Sequence, residues 1–318
     1  MKLKDLDYFR TKDNILFLVK GYYHLPGKVF AYPVFWPDKK GDYSQPTLRK
    51  RFSKETSDVD NSKIFNLFPH YRHKLIPHNI PLVPEDEIIE VYHPQDKVKD
   101  FLKKEKNTIW FKIFNAISKI GKVTKEDIGI FGSYLVGFSE TTESKKVKDI
   151  DFCVYGINNC LRLKNRFNYL LKLLGYKHIS KDHIAYHARK FGPKFDPKIN
   201  SFKKTLSRKW SSIQIREDLL STIRFVYKDD EIPPNPIQTD IQKSFQITGE
   251  VVDDFGTNFM PRTFLIKKGN REYRVVTYFW GFQEAVKNGD LVMVTGDLHQ
   301  DQKTLSVDRI NHGIKLIN

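Results

Sequence analysis

The sequence predicts an α+β protein: strands with flanking helices at its centre, an N-terminal β-hairpin region before it and a small β-barrel after it. Three observations carry that prediction. Apolar residues spaced three and four apart recur in the middle of the chain, as in amphipathic helices. Runs of period two lie on both sides of them. A proline-rich break from Ile232 to Ile237 separates this part from a tail of short strands joined by Gly-Asn, Asn-Gly and Asp-Gln turns. The 318 residues divide accordingly into a β-rich region with a long basic loop (1–92), a central core (93–232), a linker (233–240) and the barrel (241–318).

The formal net charge is +16, from 54 Lys and Arg against 38 Asp and Glu, which points to a polyanionic partner, nucleic acid first. No apolar run reaches the length of a spanning helix, and MKLKDLDYF lacks the apolar core of a signal peptide, so no membrane and a cytoplasmic location are expected. Two cysteines, Cys153 and Cys160, make neither a disulfide scaffold nor a CxxC zinc motif. No pattern specifies an oligomeric state.

Residues 14–36 read as two strands joined at His24-Leu25-Pro26-Gly27, where proline followed by glycine favours a tight turn. His24 either contacts a phosphate or is simply solvated, the commoner fate of a turn histidine. Residues 37–83 show no clean period and predict a long excursion, in which Arg49, Lys50, Arg51 and Lys54 either follow a phosphate backbone or face solvent. His70, His73 and His78 share no helical face, and Pro69, Pro77 and Pro81 break any helix there, so a metal is not expected on them. A helix from about Pro94 turns Val98, Phe101 and Leu102 inward, with an acid near its start and lysines at its end. The next, 108–120, has Thr108 as cap, Trp110, Ile113, Phe114, Ile117 and Ile120 on one face, and Gly121 as terminator.

Ile128, Ile130 and Phe131 predict a short buried strand, after which Gly132-Ser133 turns the chain into a helix whose first N–H groups can receive phosphate oxygens. Further on, Ile150, Phe152 and Val154 alternate with Asp149, Asp151 and Cys153, so period two sends both carboxylates to one face of one strand. Like charges so close repel, and one pKa rises unless cations hold both ionised. A divalent ion removes the conflict, and hard oxygen donors suit Mg²⁺ or Mn²⁺.

A Gly-Ser pair, a gap, and an Asp-hydrophobic-Asp strand ending in Val154-Tyr155-Gly156 resemble the signature of the polymerase-beta-like nucleotidyltransferase superfamily. ETTESKK, at 140–146, reads as a solvated insertion that lengthens the gap. With the GYYHLPGKVFAYPVF hairpin, the PEDEIIEVYHPQ stretch and the terminal barrel, the chain is similar to a branch known chiefly from archaea and related prokaryotes. The resemblance implies a mixed central sheet with flanking helices, Asp149 and Asp151 as catalytic and metal-binding residues holding two divalent ions, and Gly132 and Ser133 as nucleotide-binding residues. It implies transfer of a nucleoside monophosphate from an NTP or dNTP to an acceptor hydroxyl with release of pyrophosphate. The acceptor expected here is an RNA or DNA end; a protein or a tRNA to be modified is the rival.

Asn159 to Leu174 predicts a further amphipathic helix, with Leu163, Phe167, Leu170, Leu171 and Leu174 inward, Arg162, Arg166 and Lys172 outward, and Gly175 ending it. Residues 181–216 hold ten Lys and Arg against two Asp, eight of the sixteen excess charges, and Lys203, Lys204, Arg208 and Lys209 are assigned from it to nucleic acid. Tyr186, Phe191, Phe195, Phe202 and Trp210 either stack bases or pack the fold. His183 and His187 are four apart but lack a glutamate partner for zinc. Residues 219–232 resemble the strand that supplies the superfamily's third carboxylate, yet the matching position is Thr222; Glu217 and Asp218 are the nearby acids. Without a third acid, the alternative is a catalytically inactive, nucleic-acid-binding member of the same fold.

After the linker come five strands, with a short helical piece near Gln283 to Val286 between the third and fourth, an order that resembles the OB-fold. Arg262, Lys267, Lys268, Arg271 and Arg274 gather on the second and third strands beside Phe264, Tyr273 and Tyr278, and predict an oligonucleotide face. The barrel's own net charge is only +1, ten basic residues against nine acidic, so protein docking is the competing role.

Overall fold

Among the described residues, seven strands precede residue 93 and form one sheet: β1 (Tyr8–Thr11), β2 (Leu16–Val19), β3 (Lys28–Pro37), β4 (Tyr43–Gln45), β5 (Lys50–Lys54), β6 (Leu82–Pro84) and β7 (Ile88–Tyr92), in the order β4-β5-β3-β2-β1-β7 with β6 also on β3. The computed structural model describes residues 2–54, 61–75, 77–138, 149–195, 199–217, 219–237, 240–309 and 311–317. β2 and β3 are the expected hairpin, Leu18 opposite Tyr32. All four β2 residues are buried because both faces of the sheet are covered. Phe17 and Val19 pack with Ile64 and Phe65 of the helix α1 (Ser62–Leu67); Leu16 and Leu18 pack on the opposite side with Phe35 and Phe52. The segment 37–83, expected as an excursion, is thus partly built into the sheet through β4, β5 and β6. Its apolar residues are too sparse to show a period, yet Phe52 and Tyr71 are completely buried.

The central part runs α2 (Lys97–Lys104), α3 (Ile109–Gly121), β8 (Ile128–Phe131), β9 (Asp151–Tyr155), α4 (Ile157–Leu174), α5 (Lys181–Phe195), α6 (Ile199–Leu206), β10 (Ser212–Arg216) and β11 (Leu219–Val226). Its sheet is mixed, in the order β10-β11-β9-β8, with β11 parallel to β9 and the other pairs antiparallel. Ile130, Phe152, Val154 and Ile223 pack on one face with Phe101, Phe114, Leu163 and Phe167 of the helices. Phe131, Cys153, Tyr155 and Val226 pack on the other, against Tyr8, Leu16 and Leu18 of the first sheet. Period two therefore decides which residues meet the helices and which meet the neighbouring sheet.

Thr108 caps α3 as predicted, its Oγ1 accepting the Phe111 N–H at 3.4 Å. The terminator is Lys122, left-handed at φ 50°, rather than Gly121. Gly121 is a packing residue: a Cβ there would lie 2.8 Å from Leu163. Nor are Arg162 and Arg166 merely outward; they donate to the Gly121 and Ile120 carbonyls at 3.0 and 3.2 Å, satisfying acceptors that the end of α3 leaves open.

The last third contains β12 (Ile241–Asp253), β13 (Arg262–Lys268), β14 (Arg271–Thr277), β15 (Leu291–His299), β16 (Thr304–Val307) and β17 (Gly313–Leu316). β12 pairs with both β13 and β15, which closes the five strands β12-β13-β14-β16-β15 into a barrel; β14 and β16 run parallel and β17 adds to β15. Where a helical piece was expected near Gln283, a 3₁₀ turn at Trp280–Phe282 comes earlier, and Glu284 takes a positive φ of 55°. Both side chains serve a contact with the core instead. The Glu284 carboxylate accepts the Trp210 and Ser211 N–H groups at 2.7 and 3.2 Å, and Gln283 Oε1 accepts from Arg224 at 2.8 Å and Arg262 at 3.0 Å. Among the described residues, no helix is long and apolar enough to cross a membrane.

Candidate active site

β8 and β9 are antiparallel with Phe131 opposite Asp151, so the chain leaving β8 passes directly beside that carboxylate. Gly132 makes the turn at φ 79°, and a Cβ there would stand 3.4 Å from Asp151 Oδ2. Glycine thus serves both the backbone conformation and the close approach. The predicted helix does not follow: 132–137 is a series of turns, with the Gly137 N–H on the Tyr134 carbonyl and the Phe138 N–H on the Ser133 carbonyl. Tyr134, Leu135, Val136 and Phe138 are all buried, which suits a pinned loop and not a one-faced helix. The Gly132 N–H is directed at the Tyr8 phenol, a contact with the first sheet that sequence reading missed. Ser133 remains half-buried, with neither its N–H nor its hydroxyl engaged among the described residues. Residues 139–148, and with them the ETTESKK insertion, lie outside the described residues.

Ile150 is buried in the helix-side core, and its carbonyl accepts the Ser221 hydroxyl at 2.7 Å. That fixes the chain between the two acids. The strand begins at Asp151 rather than Asp149; Asp149 stands exposed at its mouth, and Asp151 is partly buried. Each feels the other's charge. Burial pushes the Asp151 carboxyl up to about 6, with Asp149 adding to the rise while the Thr222 N–H, Arg224 and Lys54 oppose it.

The parallel register of β11 and β9 sets Ile223 beside Phe152 and so Thr222 beside Asp151, and the Thr222 N–H donates to Asp151 Oδ1 at 2.9 Å. This is the neighbour strand the sequence pointed to, without the acid. Glu217 is exposed at the turn between β10 and β11, and Asp218 lies outside the described residues. Among the described residues, no third Asp, Glu, His or Cys comes within ligand distance of Asp149 and Asp151. Arg224 follows on the same face of β11 as Thr222, and its guanidinium lies 4.7 Å from the Trp280 ring centre and 5.8 Å from that of Phe131. On the other side Tyr43, raised by burial and by the charge of Asp149, shares its ring with Lys54 Nζ at 5.9 Å.

A cavity of about 190 Å³ adjoins these groups, lined by His183, Leu206, Lys209, Thr222, Arg224 and Gln283 among others. Helices α5 and α6 wall it, β10 and β11 floor it, and the barrel closes it through Gln283.

The cations assigned to nucleic acid separate into two sets. Lys204, Lys267, Arg271 and Arg274 are exposed, and Lys203 is half-buried. Arg208 is instead paired with Asp290, and Lys209 lines the cavity, its Nζ 3.5 Å from the Trp280 carbonyl. Arg262 does not reach the surface at all: 3% exposed, it donates to the Thr257 and Phe259 carbonyls and to Gln283. Phe264, Tyr273 and Tyr278 are buried and cannot stack bases. A charge count does not show which way a strand faces. The residues it overlooked, Tyr8, Arg224 and Gln283, carry no motif; alternation along β11 was the one available signal, since it puts Arg224 on the face of Thr222.

The histidines go to separate partners. His24 accepts the Phe30 N–H at 3.3 Å, and burial lowers its pKa to about 4, so it is neutral and structural rather than a phosphate contact. His70 lies 3.2 Å from Glu87, His73 bonds the Ile80 carbonyl, and His78 bonds Asp308 at 2.9 Å. Asp308 also lies close to Asp297 and His312 in a buried group of metal-ligand type. Here His312 Nδ1 accepts the Asp308 and Arg309 N–H groups, and Arg309 Nε stands 2.8 Å from Asp297. With its lone pair on the backbone and a guanidinium on the acid, this group is an ion-pair clamp between the 72–80 segment and the barrel. His183 lines the cavity; the side chain of His187 lies outside the described residues.

No protein-family model matches the chain, and no curated protein matches it significantly.

Proposed function

We propose that this protein is a metal-dependent nucleotidyltransferase of the polymerase-beta-like type, joined to an OB-like barrel. The observation that supports it most is the convergence on Asp151: Gly132 approaches one carboxylate oxygen, the Thr222 N–H holds the other, and Asp149 stands alongside. A half-buried Ser133 with its N–H and hydroxyl open among the described residues, beside two acids that feel each other's charge, suits a triphosphate and a hard divalent ion.

Asp149 and Asp151 offer carboxylate oxygens that fit Mg²⁺ or Mn²⁺, which when bound supplies charge neutralisation and polarisation of the phosphate being attacked. Ser133 donates to the terminal phosphates from its N–H and hydroxyl. The cavity beside Thr222 seats the nucleoside, with Lys209 and His183 at its wall. An acceptor hydroxyl oxygen attacks the α-phosphorus, the bond to the bridging oxygen breaks, and pyrophosphate leaves with the electron pair; the hydroxyl proton passes to water beside the exposed Asp149. Lys203, Lys204 and the barrel's Lys267, Arg271 and Arg274 are exposed cations fitted to an RNA or DNA acceptor.

Incubation with each labelled NTP and dNTP, plus total RNA or oligonucleotides, tests this. Incorporation is expected from the native chain and not from Asp149→Asn with Asp151→Asn; equal incorporation by both refutes it. Thr222 favours one second reading, a catalytically inactive nucleic-acid-binding protein of the same fold, for which salt-sensitive binding would occur with no incorporation.

A further inference from the structure

In a two-ion centre both oxygens of a shared carboxylate are engaged and further acid ligands complete the set. Here Asp151 Oδ1 accepts the Thr222 N–H at 2.9 Å, and Oδ2 lies on the side of Gly132, so a protein donor competes for the first oxygen. The described residues bring no third acid within reach. What the third strand brings is a fixed cation. Arg224 is held by Gln283 at 2.8 Å and by the faces of Trp280 and Phe131, and its Nε is buried with no hydrogen bond among the described residues. A buried donor of this kind fits an anion, and its charge opposes entry of a second cation. Lys54 stands exposed over Phe35 and Tyr43, its charge acting on the same carboxylate.

We propose that the Asp149–Asp151 centre takes a single divalent ion together with a nucleoside triphosphate, and that Arg224 and Lys54 supply as side-chain charge what a second ion would otherwise bring. This rests on the nucleotidyltransferase reading and goes beyond it.

The test is Mn²⁺ binding to the full chain, followed by electron paramagnetic resonance of the free ion, with an α,β-methylene nucleoside triphosphate present. The sites counted are those lost in Asp149→Asn with Asp151→Asn, so that ions bound elsewhere cancel. One equivalent is expected. Two equivalents overturn this inference and leave the nucleotidyltransferase reading standing; none overturns both. In a second arm, Arg224→Met keeps an apolar stem between the two rings, and the surface change Lys54→Met disturbs no core. Each should weaken binding of the analogue, about tenfold for Arg224 and about threefold for Lys54, a charged contact being worth more when buried than when exposed. Unchanged affinity in both overturns the role given to the two cations.

Discussion

Two acids of the protein, Asp308 and Asp151, are treated in opposite ways. At the barrel, Asp308 is 1% exposed, and burial alone would raise its carboxyl; the His78 ring and N–H, with the charges of His78 and His312, hold it below its ordinary value instead. At the start of β9, Asp151 has a backbone N–H and two cations near it, yet its carboxyl is pushed up to about 6. One group has its positive partners within the chain. The other is short of positive charge, and a shortfall held in place by a glycine turn and a strand register is the mark of a site built for something that arrives later.

Four changes would break or sharpen that contrast. Asp308→Ala removes the buried acceptor of the clamp and leaves the half-buried His78 without it, and should cost about 4 kcal/mol in urea unfolding at neutral pH. A carboxyl depressed in the fold contributes stability that is present above its unfolded value of about 3.9 and is lost as pH falls through its folded value, so the deficit of the variant should narrow below about pH 4. Asp151→Asn should do the reverse. A carboxyl raised from 3.8 to about 6 favours the fold fully only below its unfolded value, and that contribution disappears as pH rises through about 6. In metal-free buffer near pH 8 the asparagine chain should therefore be more stable by up to about 3 kcal/mol, with the gain gone below about pH 4.

A third acid, Glu284, is satisfied internally: it is 4% exposed and also accepts the Ser211 hydroxyl at 2.6 Å. Glu284→Gln keeps the size and loses the charge, and should cost about 2 kcal/mol by the same unfolding measurement. Smallest for the fold are the surface cations. Replacing Lys267, Arg271 and Arg274 by Gln should change stability by no more than about 0.5 kcal/mol. If they contact phosphates, the slope of log affinity for single-stranded nucleic acid against log salt should shrink by about 0.7 per residue removed.

Much of this frame was legible beforehand. The β2–β3 hairpin, α3, α4 and the five barrel strands follow from local period and turn chemistry, and the nearness of Asp151 to Gly132 follows from two adjacent strands. What escaped is non-local. β4 and β5 join the first sheet through pairings that no short window reveals. Arg262 looks like its neighbours Lys267 and Arg271 in a charge count, yet it begins its strand against the core and spends its guanidinium on backbone carbonyls. Gln283 and Glu284 read as part of a short helical piece and prove to join barrel to core. Arg224 matters only because the parallel register of β11 brings it beside the acids.

Thermal unfolding in chelator, then with Mg²⁺ and a non-hydrolysable nucleoside triphosphate, most directly asks whether the Asp149–Asp151 centre is completed by an ion and a phosphate chain. Ligand at about a hundred times its dissociation constant should stabilise the native chain by about 2.7 kcal/mol and leave Asp149→Asn with Asp151→Asn unmoved. An equal shift in both chains, or none in the native one, would contradict the account.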